Sequence, residues 1–237
     1  MTIFTCSCMT LNCNCREKYT SQSTSFTNFT STSPVTTTSE MYINGEKVTK
    51  DNSVKVIFNK LKSINPNAIG ETGLDYFRNI SPPDIQKKSF GMHIEIAKEL
   101  SLPLYLHQRD AHGDFIRIIK ENISNFPKFV VHCFTGTQVE LNEYLELGAY
   151  IGLTGWICDA KRNIDLRKSI KNIPIEKMMI ETDSPYLIPK NLTVKPNKNI
   201  NEPKYLPHIA NEICELTGYD LEELKLVTSN NAIEFFS

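Results

Sequence analysis

The chain has 237 residues, 40% hydrophobic and 22% charged, and its 26 Lys and Arg against 27 Asp and Glu give a formal charge of −1. That balance excludes a strongly basic nucleic-acid-coating protein and a polyanionic tail, and no apolar run approaches the roughly 18 residues that span a bilayer. The length fits one large domain or two small ones.

Residues 1–40 differ from the rest. Between Thr20 and Ser39, fourteen of twenty residues are Ser or Thr. So polar a stretch buries too little apolar surface to offset its ordering entropy, and it reads as a disordered leader. Cys6/Cys8 and Cys13/Cys15 form two Cys-x-Cys pairs at its start. Four thiolates can close a zinc tetrahedron, but the spacing is not that of a zinc ribbon, and a leader without a structural role is the favoured reading. With Cys133, Cys158 and Cys214 the chain has seven cysteines. An odd, widely spaced set is a poor disulfide framework and suits a reducing, cytoplasmic setting, with a nuclear or organellar one as the alternative. The leader lacks the apolar run of a secretory signal, so the sequons at Asn28, Asn122 and Asn191 carry little weight.

Residues 41–53 are a hairpin and linker. In MYINGEKVT, Asn44-Gly45 supplies the two positive-φ positions of a type I′ turn.

From residue 54 to 237 short apolar runs alternate with helix-period segments. The runs are NAIGE (67–71), LPLYLH (102–107), KFVVHCF (128–134), AYIGLTG (149–155) and MMIETD (178–183). Helices are expected over Gln86–Leu100, Gly113–Ile123 and Val139–Leu147, with Ser101 and Leu102 stopping the first and Pro103 opening a strand. Strands alternating with helices predict parallel βαβ units, and runs this apolar fit strands buried on both faces.

Glu71, His107, His132 and Asp183 each stand at the C-terminal end of one of these runs. In a (β/α) barrel those ends converge on one mouth, where active sites are built. Two imidazoles and two carboxylates suit Mg²⁺, Mn²⁺ or Zn²⁺. One such residue is more often a satisfied core group, but four at four strand ends point to a metal site.

At these residues the sequence resembles the TatD family of metal-dependent deoxyribonucleases. The matching stretches are AIGETGLDYFR (68–78), LHQRDAH (106–112), VVHCFTGT (130–137), YIGLTGWICD (150–159), IETDSPYLIP (180–189) and NEPKYLPHIA (201–210). The match looks closest to the branch without an N-terminal His-x-His pair. The resemblance implies an α/β TIM-like (β/α) barrel that hydrolyses DNA phosphodiesters, as a 3′–5′ exonuclease, with one or two divalent ions, Mg²⁺ first and Mn²⁺ or Zn²⁺ as alternatives. It implies Glu71, His107, His132 and Asp183 as metal ligands, with Glu71 and Asp183 also catalytic and Asp183 taking a proton from the attacking water. Arg109, two residues past His107, and Arg162, after GWICD, have two readings each: contact with a substrate phosphate, or a salt bridge. Lys161 shares the lower-ranked of these. Trp156, the only Trp, reads as a wall of the mouth rather than a base-stacking group. His112 reads as a cap or surface residue, His93 as structural, His208 as packing or mouth-shaping, and Cys133 as a small buried apolar residue.

The departure from the family is at the front. Members begin with three strands before the GETGLD strand, and residues 1–53 cannot supply them. The expectation is a partial barrel, incomplete at the N-terminus, with about five of eight strands recognisable. An incorrect gene model or splice form is the favoured explanation; self-association or a partner covering the open edge, and a hairpin patch, are the others. A related hydrolase such as a D-aminoacyl-tRNA deacylase, and an inactive truncated chain, are the competing functions.

Overall fold

A computed structural model describes residues 41–43, 46–48 and 53–237, except 195 and 197. The leader with its two Cys-x-Cys pairs, the sequon at Asn28 and the turn at Asn44-Gly45 lie outside the described residues. On either side of that turn, β1 (Met41–Ile43) and β2 (Glu46–Val48) pair antiparallel, with Ile43 opposite Glu46. Two intervening residues are the spacing a tight hairpin requires.

Helix α1 (Ser53–Ile64) follows, an element the apolar runs did not foresee. Val56 is buried, and Ile57, Phe58 and Leu61 pack against the core, a stripe at helical spacing. Then come β3 (Ile69–Asp75), α2 (Pro83–Leu100), β4 (Leu104–Arg109), α3 (His112–Asn122), β5 (Phe129–Val131), α4 (Gln138–Glu146), β6 (Tyr150–Leu153), α5 (Ile164–Ser169), β7 (Met178–Ile180), α6 (Leu206–Thr217) and α7 (Leu221–Phe236). The strands β3 to β7 form one parallel sheet in chain order. This is the predicted alternation, with the three expected helices displaced by one residue to three.

Local chemistry sets the element ends. Pro83 opens α2, where its missing N–H costs nothing. Ser101 closes it in the left-handed region at φ 51°, and the N–H groups of Ser101 and Leu102 return to the carbonyls of Lys98 and Ala97. Pro103 then leads into β4, its carbonyl accepting from the Ile69 N–H at 2.9 Å. Helix α4 starts in a full capping box. The Thr137 side chain accepts from the Glu140 N–H, and the Glu140 side chain accepts from the Thr137 N–H.

Successive residues of a strand face opposite sides. On one side Leu104, Leu106, Phe129, Val131, Ile151 and Leu153 meet the helices in the main core, which includes Phe90 stacked on Phe115 at 5.4 Å. On the other side Ala68, Tyr105, Val130, Tyr150 and Met179 form a second cluster, closed by Phe235 and Phe236 at the end of α7. Asn67 donates to the Phe236 carbonyl at 2.9 Å, and the Tyr150 hydroxyl donates to Glu234 at 3.2 Å. These bonds hold the end of α7 under the N-terminal half of the sheet's inner face. The C-terminal half of that face is polar.

Candidate metal centre

The inner face continues past Tyr105 to His107, past Val130 to His132, and past Met179 to Glu181 and Asp183. All four predicted residues arrive there. His107 Nδ1 lies 2.8 Å from Glu71 Oε1. His132 Nε2 lies 3.9 Å from the same oxygen and 3.8 Å from Asp183 Oδ1. One donor atom each from Glu71, His107 and His132 falls within 4.8 Å of the others, and a second such set joins His132, Cys133 and Asp183. His132 is common to both.

The placement along the strands corrects the expectation in one respect. His132 and Asp183 lie just beyond β5 and β7, but Glu71 is inside β3 and His107 inside β4. The β3–β4 register shifts between Ile69 and Thr72, after which both strands run on until Asp75 pairs with Arg109. Gly73 permits this close approach. It sits at φ +144°, and a Cβ there would come within 1.9 Å of the His107 carbonyl oxygen.

That extension brings in residues the sequence reading assigned no role. Asp75 Oδ2 lies 3.2 Å from His107 Nε2, so the ring is gripped on one side and presents Nδ1 to Glu71. Asp75 is itself fixed by Gln86 of α2, which accepts from its N–H at 2.8 Å and donates to its carbonyl at 3.1 Å. Glu181 does the same for His132. Its Oε2 is 2.9 Å from Nδ1, while its Oε1 accepts from the Cys133 N–H at 2.7 Å. The Tyr105 hydroxyl donates to Glu181 and lies 3.0 Å from His132 Nδ1. This network puts the proton on Nδ1 and leaves Nε2 facing Glu71 and Asp183. Buried carboxylates behind imidazoles set tautomer and orientation in metal sites. The signal for Glu181 and Tyr105 was strand alternation, which puts the residue two before an inward ligand on the same face.

The charges are consistent with a cation. Burial opposes a charge on His132, but Glu181, by charge and hydrogen bond, with Glu71 and Asp183, pushes its pKa up to about 9. Burial likewise opposes a charge on His107, yet its bonds to Asp75 and Glu71 raise it. Burial works against the Glu71 carboxylate, but the His107 bond and the His132 charge hold its pKa below the ordinary value. Asp183 stays raised, by burial first, helped by the charges of Glu71 and Glu181 and opposed by those of His132 and His107. The pocket thus draws protons onto its imidazoles to balance its carboxylates. A divalent ion would supply that positive charge, with the histidines neutral. Donor types, spacing and charge all fit such an ion.

The other candidates fall elsewhere. Arg109 and Arg162 line a cleft of about 610 Å³ beside the cluster, walled also by Phe77, Trp156 and Tyr144. The Arg162 guanidinium is bound to Asp159 at 2.7 Å, the salt-bridge reading, whereas Arg109 lies over the Phe77 ring at 3.7 Å. His112 begins α3 but is neither its cap nor a free surface group. Its Nδ1 lies 2.8 Å from the Tyr144 hydroxyl inside that cleft. His93 stays on α2, bonded to the Ser89 carbonyl at 2.8 Å. His208 sits on α6 beside Tyr205. Cys133 is half-buried rather than buried, its Sγ 3.2 Å from the Thr154 hydroxyl, and burial pushes its thiol pKa up. Among the described residues no helix is long and apolar enough to cross a membrane.

The family model of TatD-related DNases matches residues 38–237. The 3′–5′ ssDNA/RNA exonuclease TatD of Citrobacter rodentium is 47% identical over 169 residues, covering 71% of this chain and 64% of that protein. Its namesake in a Rahnella strain is 46% identical over 170 residues, covering 72% and 65%. The chain therefore spans slightly less than two thirds of the length of these relatives. Among solved structures, a TatD homolog from Escherichia coli superposes with a TM-score of 0.70 at 26% identity, covering 79% of this chain and 71% of the other. A TatD-family hydrolase from Entamoeba histolytica gives 0.68 at 30%, covering 77% and 67%. The architecture is accordingly that of the TIM-like barrel hydrolases, with five parallel barrel strands among the described residues.

Proposed function

The chain belongs to the TatD-related DNases, and on that premise we propose that residues 54–237 hydrolyse DNA phosphodiester bonds, removing nucleotides from the 3′ end. The observation that carries this reading is the meeting of Glu71, His107, His132 and Asp183 from four separate strands or the residues just beyond them, with contacts of 2.8 Å from His107 to Glu71, 3.9 Å from Glu71 to His132 and 3.8 Å from His132 to Asp183. We assign all four as ligands of a divalent cation, Mg²⁺ first.

A bound divalent cation lowers the pKa of a coordinated water and offsets charge on phosphoryl oxygens. The chain's own residues do the rest. His107 and His132 present Nδ1 and Nε2, held by Asp75 and Glu181. Glu71 spans both imidazoles. Asp183, at the open end of the cluster, takes the proton of the attacking water. Its carboxylate oxygen lies 3.8 Å from His132 Nε2, beside the place where such a water would be held. Because the cation balances the phosphate, a net charge of −1 is no obstacle. The unpaired thiols of Cys133, Cys158 and Cys214 support a reducing, cytoplasmic setting.

The test is degradation of a 5′-labelled single strand by the purified full chain. The expected result is a ladder shortening from the 3′ end with Mg²⁺ or Mn²⁺ and none with chelator. Intact label with either metal, from protein that melts cooperatively, overturns the reading.

A further inference from the structure

Asp183 is the ligand that stands furthest from its strand. Glu71 lies within β3, His107 within β4, and His132 directly follows β5, whereas Asp183 comes after Glu181 and Thr182, beyond the end of β7. The Glu181 N–H still donates to the Leu153 carbonyl at 3.0 Å, and the chain turns away after it. Asp183 itself is in the left-handed region, at φ 54°. An aspartate enters that region more readily than most residues, but the conformation persists only where the surroundings hold it.

That hold comes from the far end of the connection between β7 and α6. Asn201, shortly before α6, is 2% exposed. Its side-chain amide donates to the carbonyls of Thr182 at 2.7 Å and Tyr186 at 2.6 Å, and reaches the Leu187 carbonyl at 3.3 Å. Its own N–H donates to the Pro185 carbonyl at 3.0 Å. Its Oδ1 accepts from the Glu202 N–H at 2.9 Å, which fixes the end of the amide that faces the turn. One buried side chain thus ties the residue before Asp183 to residues that follow it. The turn also closes on itself, the Tyr186 N–H donating to the Asp183 carbonyl at 2.8 Å. It packs against Gly155, where a Cβ would lie 2.1 Å from the Leu187 carbonyl oxygen.

The direction of these bonds is the informative part. They end on the backbone of a single turn, and the side chain which that turn contributes to the ligand cluster is Asp183. A second asparagine on the same connection gives the contrast. Asn191 is exposed, and it donates to Glu212 at 2.9 Å and to the His208 carbonyl at 3.3 Å, both on α6 rather than on the turn.

We propose that Asn201 is a positioning residue for the hydrolysis, setting the turn so that Asp183 Oδ1 is held towards His132 Nε2, 3.8 Å away. The proposal rests on the metal-hydrolase reading and adds to it a residue that touches neither metal nor substrate. Loss of a partner that orients a ligand weakens metal binding about 10- to 100-fold.

The experiment measures Mn²⁺ affinity of the full chain, from the paramagnetic resonance of free Mn²⁺, in the parent, Asn201→Ala, Asp183→Ala and the double variant. Asn201→Ala is expected to weaken binding about tenfold in the parent. In the Asp183→Ala background it should change affinity by less than about twofold, because no ligand remains there to be placed. Asn201→Asp, with the same shape but without the donors, falls with Asn201→Ala. Asn191→Ala, which frees the same connection from α6, binds like the parent. In cleavage of a single strand at saturating metal, Asn201→Ala lowers kcat and leaves KM. Each variant is first shown to melt cooperatively. The proposal is overturned by losses that add in the double variant, by an Asn191→Ala loss equal to that of Asn201→Ala, or by failure of both Asn201 variants to fold, since each makes Asn201 a general brace. Cleavage by the unsubstituted chain is scored in parallel. Cleavage with additive losses removes the positioning role and keeps the hydrolase; the non-additive pattern without cleavage removes the hydrolase and keeps the positioning role. A parent that binds no Mn²⁺ removes both.

Discussion

The two faces of the central sheet use the same strands for opposite purposes. On the outer face Leu104, Leu106, Phe129, Val131, Ile151 and Leu153 are almost wholly buried under the helices. On the inner face the N-terminal half is an aromatic cluster closed by Phe235 and Phe236, and the C-terminal half is a network of carboxylates and imidazoles. The difference teaches where stability and chemistry are kept apart. The outer face is filled by apolar side chains, whereas the cluster holds Glu71, Glu181 and Asp183 close together, balanced in the absence of a cation by His107 and His132, with Asp183 the carboxylate left raised.

The sharpest way to break that contrast is Asp183→Asn. If Asp183 serves chemistry, the change lowers kcat by about 10² to 10⁴. The melting temperature of the metal-free protein should hold or rise, since a carboxylate among carboxylates is replaced by a neutral amide. A collapse of the fold instead would mean that the charged network is structural.

Phe235→Ala is the reverse experiment. The side chain is fully buried at the closed end of the inner face. Its loss should cost about 3–5 kcal/mol, read in a urea midpoint. Because Phe235 lies among Tyr150 and its neighbours rather than among the ligands, the affinity for Mn²⁺ should hold in the fraction that remains folded. A weakened metal site in that fraction would show that the two halves of the face are one unit.

The strands and the residues at their ends were the legible part. The apolar runs located all five parallel strands, and their polar ends named the four residues that gather. Those signals are local, written into three to seven consecutive residues. What closes the inner face was not legible, because it depends on contacts between Phe236 and Asn67, or Glu234 and Tyr150, far apart in the chain. The support behind the imidazoles was only half legible. Alternation put Tyr105 and Glu181 on the ligand face, but nothing local announced that β3 continues to Asp75 beyond a shifted register. Gly152 is a further trace of the same network. A Cβ there would lie 2.3 Å from Glu181 Oε1, a reason for glycine visible only once the carboxylate is in place.

Glu181→Gln sharpens the contrast within the polar half. It keeps the shape and removes the charge behind His132 Nδ1, so metal affinity should fall about 10- to 100-fold. The same change has a pH signature in chelated protein. His132 is raised to about 9 in the folded chain, above its ordinary value. That raised pKa contributes stability fully present below about pH 6.5 and lost as pH climbs through about 9. Melting of chelated protein between pH 6 and pH 9.5 should therefore show a downward trend that Glu181→Gln flattens. Parallel trends in the two proteins would remove Glu181 as the source of the His132 shift.

The smallest effect tests whether the loops at the mouth belong to the packed part or to the reactive part. Thr137 caps α4 and lines the cleft, on the segment that leaves His132. Its hydroxyl accepts from the Glu140 N–H at 3.3 Å, while the Glu140 carboxylate accepts from the Thr137 N–H at 2.6 Å. Thr137→Ala removes one half of that exchange and should cost about 1 kcal/mol. If the loop is only a connector, the loss appears in the denaturation midpoint and nowhere else. If it also shapes the cleft, loosening the turn shifts the Glu140 carboxylate, which keeps the Thr137 N–H and lies 3.9 Å from His112 Nδ1, and the Michaelis constant for single strands shifts while kcat stays. Thr137→Ser, which keeps the cap, should restore both, because the hydroxyl rather than the methyl group holds the turn.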